Sequence, residues 1–337
     1  VFAETIYSAG RAARTATRSH GNEIDAVTRS HGNEIQTRGG APVTLPDPEL
    51  AGYVEVEGGR IWWRLNGGDH RERPAVICIT GGPGMSHHYM APFLELADER
   101  PVVLYDQLDT GNSDRPGDPG NWRISRFVDE ISLLRTALHF DRVVLAGNSW
   151  GSIVALESWF SDPTGISGLL LASPVVSIQR WSADADELVN ELPTAMQDAI
   201  AHATKTGNFD APEFEEATRE YGRRHIIRAD PIPDFVQRSF SMFGEAVYVG
   251  INGPSEFTIL GVIRDYERET DLEKVTVPTL ITCGEFDNAR PDTCRHFASL
   301  LPSGEVAVFT GAAHFTFAEQ PDAYIERFRR FLADHDI

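Results

Sequence analysis

The chain has 337 residues, of which 41% are hydrophobic, and 50 acidic against 30 basic residues leave a formal charge of −20. That length suits one large domain with an insertion, or two ordinary domains, with a sizeable core, while the acidic balance argues against nucleic acid and anionic membrane as partners, since both need a basic face. The three cysteines, Cys78, Cys283 and Cys294, have neither CxxC nor metal-ligand spacing, and no apolar run reaches the length of a membrane helix; a reducing, cytoplasmic setting with no metal is expected.

Residues 1–40 are rich in Arg, Ser and Thr and poor in large apolar residues, and within them residues 17–24 recur as residues 28–35. Two copies are too few for a stacked repeat, which needs at least three. This extension is expected to do no chemistry, whether it is a processed segment or a docking arm. From Gly52 the pattern alternates: residues 53–57 and 60–65, joined by Gly58-Gly59, read as an antiparallel hairpin. Residues 75–80 and 101–105 are continuous apolar runs, typical of strands buried on both faces. The first ends at Gly81-Gly82-Pro83-Gly84 and the second at Asp106-Gln107. Residues 127–140 have helical spacing, residues 142–146 read as a strand, and residues 152–160 as a buried helix.

Between that strand and helix stands Gly147-Asn148-Ser149-Trp150-Gly151. Strand, sharp turn and helix form the setting in which G-x-S-x-G becomes a nucleophile elbow, with the serine on a strained turn and free N–H groups at the helix start beside it. A further strand at residues 168–173 follows. Residues 176–261 then show helical spacing broken by Pro193, Pro212, Pro231, Pro233 and Pro254. The sheet resumes at 277–283 and 305–309, and an amphipathic helix at 322–333 ends the chain. Alternating strands and helices predict a largely parallel sheet with crossover helices. The division expected is an extension (1–40), an α/β core (41–175 and 262–337) and a helical cap (176–261) over the strand ends where ligands bind in such folds.

A serine hydroxyl needs an adjacent base, and the base needs a carboxylate to hold its tautomer. Asp287 follows the strand at 277–283 by a few loop residues, with Asp292 as near rival. His314 follows the last strand through a short glycine-containing loop. The order Ser149, Asp287, His314 is that of an α/β-hydrolase. An oxyanion hole needs two converging backbone donors. Trp150 N–H is expected to be one, and either Gly81 or Gly82 the other.

Gly81-Gly82-Pro83-Gly84-Met85-Ser86-His87, Tyr105-Asp106-Gln107 with Gly111 and Ser113, the elbow at Ser149, and Asn252-Gly253-Pro254-Ser255-Glu256-Phe257 together resemble the proline iminopeptidase family. The likeness covers about residues 50–335 and is nearest the branch of tricorn-interacting aminopeptidases and L-amino-acid amidases. It implies an α/β-hydrolase fold, no cofactor, and a Ser149-Asp287-His314 triad that removes an N-terminal residue from a peptide, amide or arylamide. It also implies that Glu256 binds the substrate's free α-amino group. Read from its own residues alone, Glu256 fits equally well in the first turn of a helix capped by Ser255. A second acidic group is implied in the cap, with Asp230 and Glu245 as candidates. Two departures bear on substrate identity. Thr80 stands where the family usually has histidine, and Leu108-Asp109 where it has arginine and glycine. An esterase, a lactonase or a biosynthetic amide-releasing hydrolase on the same triad is the alternative, acting in each case on a small substrate.

Overall fold

A computed structural model describes residues 45–337; the extension at 1–40 and its repeat lie outside the described residues. The hairpin forms as β1 (Leu50–Val56) and β2 (Gly59–Asn66), in antiparallel register with Tyr53 opposite Trp62. Gly58 turns the chain at φ +93, a conformation open to glycine. Six further strands follow: β3 (Ala75–Ile79), β4 (Val102–Asp106), β5 (Val143–Asn148), β6 (Ile166–Ala172), β7 (Thr279–Gly284) and β8 (Gly304–Phe309). All eight lie in one sheet ordered β1-β2-β4-β3-β5-β6-β7-β8. β2 meets β4 antiparallel, and every pairing from β4 through β8 is parallel.

The continuous apolar runs have a simple cause, since successive strand residues point to opposite faces and both faces are covered. Ile77, Ile79, Leu145 and Leu169 pack with Phe127, Ile131, Ile153 and Phe297. Those partners come from α1 (Ile124–Leu138), α2 (Trp150–Ser161) and α8 (Pro291–Leu300). Val76, Cys78, Val144 and Leu170 face the other way, onto Tyr89, Phe93, Tyr324 and Phe328. Tyr89 and Phe93 lie on a 3₁₀ segment (His87–Asp98), and Tyr324 and Phe328 on α10 (Pro321–Asp334). Each such side chain removed from water contributes roughly 1.5–3 kcal/mol. The sheet is thereby sandwiched, and the C-terminal ends of its parallel strands share one rim.

Between β6 and β7 run five helices: α3 (Ile178–Asn190), α4 (Thr194–Thr206), α5 (Pro212–His225), α6 (Asp234–Ser241) and α7 (Glu245–Ile251). The first three share a small core of their own around Leu188, Ile200, Phe214 and Tyr221. Phe235, Phe240 and Phe243 instead join the core beneath the 3₁₀ segment. A short α9 (Thr316–Glu319) leads into α10. Among the described residues no helix is long and apolar enough to cross a membrane, and no group of His, Cys, Asp and Glu could hold a metal.

Candidate active site

Ser149 sits between the end of β5 and the start of α2 at φ 54, ψ −116, and only 6% of its surface is exposed. The flanking glycines are required by contact: a Cβ on Gly147 would lie 2.2 Å from Gly151 O, and one on Gly151 would lie 2.2 Å from Ile79 O. No side chain fits there, so the turn closes tightly and tips the serine above the sheet. A non-glycine residue at positive φ stores strain that the surrounding packing must hold.

Asp287 and His314 are joined directly, with His314 Nδ1 2.8 Å from Asp287 Oδ1 and both side chains buried. A carboxylate only accepts, so Nδ1 carries the proton and Nε2 is left as the basic nitrogen. Asp287 also accepts from Ala289 N–H at 2.8 Å and Gly284 N–H at 3.2 Å. Asp292, the rival acid, stands exposed in the first turn of α8 and pairs with Arg295 at 2.8 Å. Among the described residues no hydrogen bond links Ser149 Oγ to His314, which is usual for a nucleophile and base before substrate closes the site. They are linked through the end of β6: Ser149 N–H donates to Ala172 O at 2.9 Å, while Ser173 Oγ lies 2.6 Å from Asp287 Oδ2 and 3.0 Å from His314 O. The His314 loop is itself held by α5, because His314 N–H and Phe315 N–H donate to the carbonyls of His225 and Ile226 at 3.2 and 3.0 Å. The His225 ring, lowered in pKa chiefly by burial, donates from Nδ1 to Phe286 O at 2.9 Å.

The loop after β3 distinguishes its two glycines. Gly81 N–H is taken by Tyr89 Oη at 2.6 Å, and that hydroxyl in turn donates to Asn148 Oδ1 at 2.9 Å. Gly81 therefore braces the loop against the elbow and has no N–H to offer an oxyanion. Among the described residues neither Gly82 N–H nor Trp150 N–H has an acceptor, so both are free to donate. Gln107 ties the two sides together. Its Nε2 donates to Thr80 O at 2.8 Å, and its Oε1 accepts from Trp150 Nε1 at 2.8 Å.

The other family motifs have physical causes. Buried Asp106 accepts from His87 N–H at 2.6 Å and Asn112 N–H at 2.8 Å, tying the loop after β3 to the loop after β4. Gly111 is needed because a Cβ there would lie 2.1 Å from Asp106 Oδ2. Of the departures, Thr80 is held by Gln107, and Leu108 is fully buried in the core. Asp109 turns its carboxylate to Gly117 N–H at 2.7 Å and Trp122 Nε1 at 2.9 Å.

Glu256 lies in a loop, not in a capped helix: Ser255 bridges to Thr258, and Asn252 Nδ2 donates to Ser255 O at 3.1 Å. Tyr248 Oη, on α7, donates to Glu256 Oε1 at 2.8 Å. Burial pushes this carboxyl above its usual range, opposed by nearby His314 and by the Tyr248 hydroxyl. Trp181 completes the wall. Its indole N–H donates to Glu256 O at 2.8 Å, and its ring stands edge-on to His314 with centroids 6.1 Å apart. Glu245, half-buried, opens α7 directly after Gly244, whose N–H donates to Gly84 O at 2.9 Å. Asp230 is exposed on the connection from α5 to α6. Sequence reasoning missed Tyr89, Ser173, Trp181 and Tyr248. Their roles come from contacts distant along the chain, and spacing carries no signal for them.

The family model described as the alpha/beta hydrolase fold matches residues 74–321. A proline iminopeptidase of Heyndrickxia coagulans is 36% identical over 285 residues, spanning 83% of this chain and 98% of that protein. The crystal structure of proline iminopeptidase from Mycobacterium smegmatis superposes with a TM-score of 0.77 at 32% identity, covering 85% of this chain and 99% of that one. The crystal structure of VinJ gives a TM-score of 0.81 at 30% identity, covering 86% and 99%. The chain belongs to the proline iminopeptidase family of α/β hydrolases. It is accordingly a hydrolase of small substrates with a mostly parallel eight-stranded sheet.

Proposed function

We propose that the chain is a serine hydrolase that cleaves the amide or peptide bond following a residue with a free N-terminal amino group, as an aminopeptidase or amino-acid amidase. Ser149 Oγ attacks the carbonyl carbon while His314 Nε2 takes its proton. Asp287 holds the resulting imidazolium. The carbonyl oxygen becomes an oxyanion between Gly82 N–H and Trp150 N–H, donors already in place before charge develops. On collapse, His314 returns the proton to the leaving amine, and the acyl group stays on Ser149. Water, deprotonated by the same imidazole, then attacks the acyl carbon and releases the amino acid.

The observation that carries the reading is Glu256. A carboxylate held by Tyr248 and close to His314, on a loop whose Glu256 carbonyl accepts from Trp181, would hold an ammonium by a charge-assisted hydrogen bond and so measure one residue from the chain end. The helices α3–α7 act as the cap that carries most of this wall.

Ser149→Ala is expected to lower turnover of a prolyl or alanyl arylamide by about 10⁴-fold or more, with an unchanged thermal midpoint and no labelling by a fluorophosphonate. Retained turnover would remove the proposal. A panel of aminoacyl arylamides set against neutral acyl esters and lactones separates the amine-directed reading from an esterase or lactonase: preference for the neutral substrates would favour the latter.

A further inference from the structure

Ser173 follows β6 and has no role in the steps above, yet it touches two members of the candidate triad. It is 1% exposed and sits at φ +49, a conformation that favours glycine. Its N–H donates to Thr282 O at 2.6 Å, fastening it to β7. Its hydroxyl has one proton and two acceptors in reach, Asp287 Oδ2 at 2.6 Å and His314 O at 3.0 Å. The nearer acceptor is also the charged one, so the proton goes to Asp287. A polar residue kept buried and strained, where glycine would fit the backbone better, is an outlier that asks for a function.

We propose that Ser173 is a positioning residue for the acid of the triad, an inference that rests on the serine-hydrolase reading above. Asp287 presents Oδ1 to His314 and Ala289, while on Oδ2 the Ser173 hydroxyl stands beside a longer bond from Gly284 N–H. Without that hydroxyl Oδ2 keeps only the longer Gly284 bond, so the carboxylate can turn about its Cβ–Cγ bond and carry Oδ1 off the line to His314 Nδ1. The residue before it, Ala172, accepts from Ser149 N–H, so the end of β6 sets nucleophile, acid and base in one register.

Ser173→Gly is the sharp test, because it deletes the hydroxyl while relaxing the backbone. It is expected to lower kcat roughly 10- to 100-fold with little change in KM. The acid limb of the kcat/KM profile should move to lower pH, because an Asp287 turned out of line with His314 Nδ1 stabilises the imidazolium less. The downfield proton resonance of the His314 Nδ1–H···Asp287 bond should shift or broaden, with the thermal midpoint retained or raised. Should the glycine variant fail to fold, Ser173→Ala is read in the same three assays. Wild-type kcat, pH profile and resonance would overturn the proposal, and so would a fall in kcat that leaves the resonance and acid limb unmoved. Inactive Ser149→Ala and Asp287→Asn beside an unaffected Ser173→Gly would sink this inference alone. Turnover by Ser149→Ala would sink it together with the reading on which it rests.

Discussion

Replacing Glu256 by Gln removes a charge while keeping shape and the Tyr248 hydrogen bond. Tyr248 Oη already occupies Oε1, and among the described residues Oε2 has no donor, so Oε2 is the oxygen available to an ammonium. One charge-assisted hydrogen bond contributes about 1.5–3 kcal/mol, a factor of roughly 10–150 in kcat/KM. Glu256→Gln should lose that factor on a prolyl or alanyl arylamide and almost nothing on an N-acylated ester. The wild-type carboxyl is raised above its ordinary value, chiefly by burial, so amine binding should fade as pH falls through that raised value. Stability follows the opposite sense. Between the ordinary and the raised value the folded state holds more of this proton than the unfolded chain does, so Glu256 lowers stability as pH rises through that window. Glu256→Gln, with no charge to bury, should lose this dependence and be at least as stable near neutral pH. Steady-state kinetics on the two substrates and urea midpoints across the carboxylate range test both halves. Equal losses on amine and acylated ester would refute the anchor assignment.

Tyr89→Phe strips Gly81 N–H of its acceptor and Asn148 Oδ1 of its donor; it should cost about 1–3 kcal/mol in urea unfolding and lower kcat more than it raises KM. Arg126→Met breaks the buried pair of Arg126 Nη2 with Glu130 Oε1 at 2.7 Å and should cost about 3–5 kcal/mol, because it strands a carboxylate that burial already pushes up. Adding Glu130→Leu should recover most of that loss. No recovery would place the cost in lost packing against Phe127, over whose ring the Arg126 guanidinium lies at 4.2 Å.

The parallel sheet and the elbow were legible because both leave local marks. Strands covered on two faces must be continuously apolar, and the contacts at Gly147 and Gly151 leave no space for a side chain. Asp287 and His314 were legible because each closely follows the end of its strand. The 3₁₀ segment His87–Asp98 was not, since Pro92 interrupts its spacing, and α8 was obscured by having only Cys294, Phe297 and Ala298 buried. That Gly81 N–H meets Tyr89 Oη and Gly82 N–H does not, and that Asp230 is exposed where Glu245 is half-buried, left no mark in the sequence. Neither is written in neighbouring residues, because each depends on where distant segments dock.

The carbonyls closing α5 hold the backbone of the His314 loop, and the ring of His225 holds the backbone just before Asp287. On the proposed reading the helical cap and the loops of Asp287 and His314 share fasteners, and a cap swinging freely as a hinged flap would loosen those loops each time it opened. Substrate traffic is better served by movement in α6 and α7, which pack on the 3₁₀ segment and, through Gly244, on Gly84. Grafting a different cap to change selectivity would need its junction placed beyond Ile226, leaving those two carbonyls with their native partners.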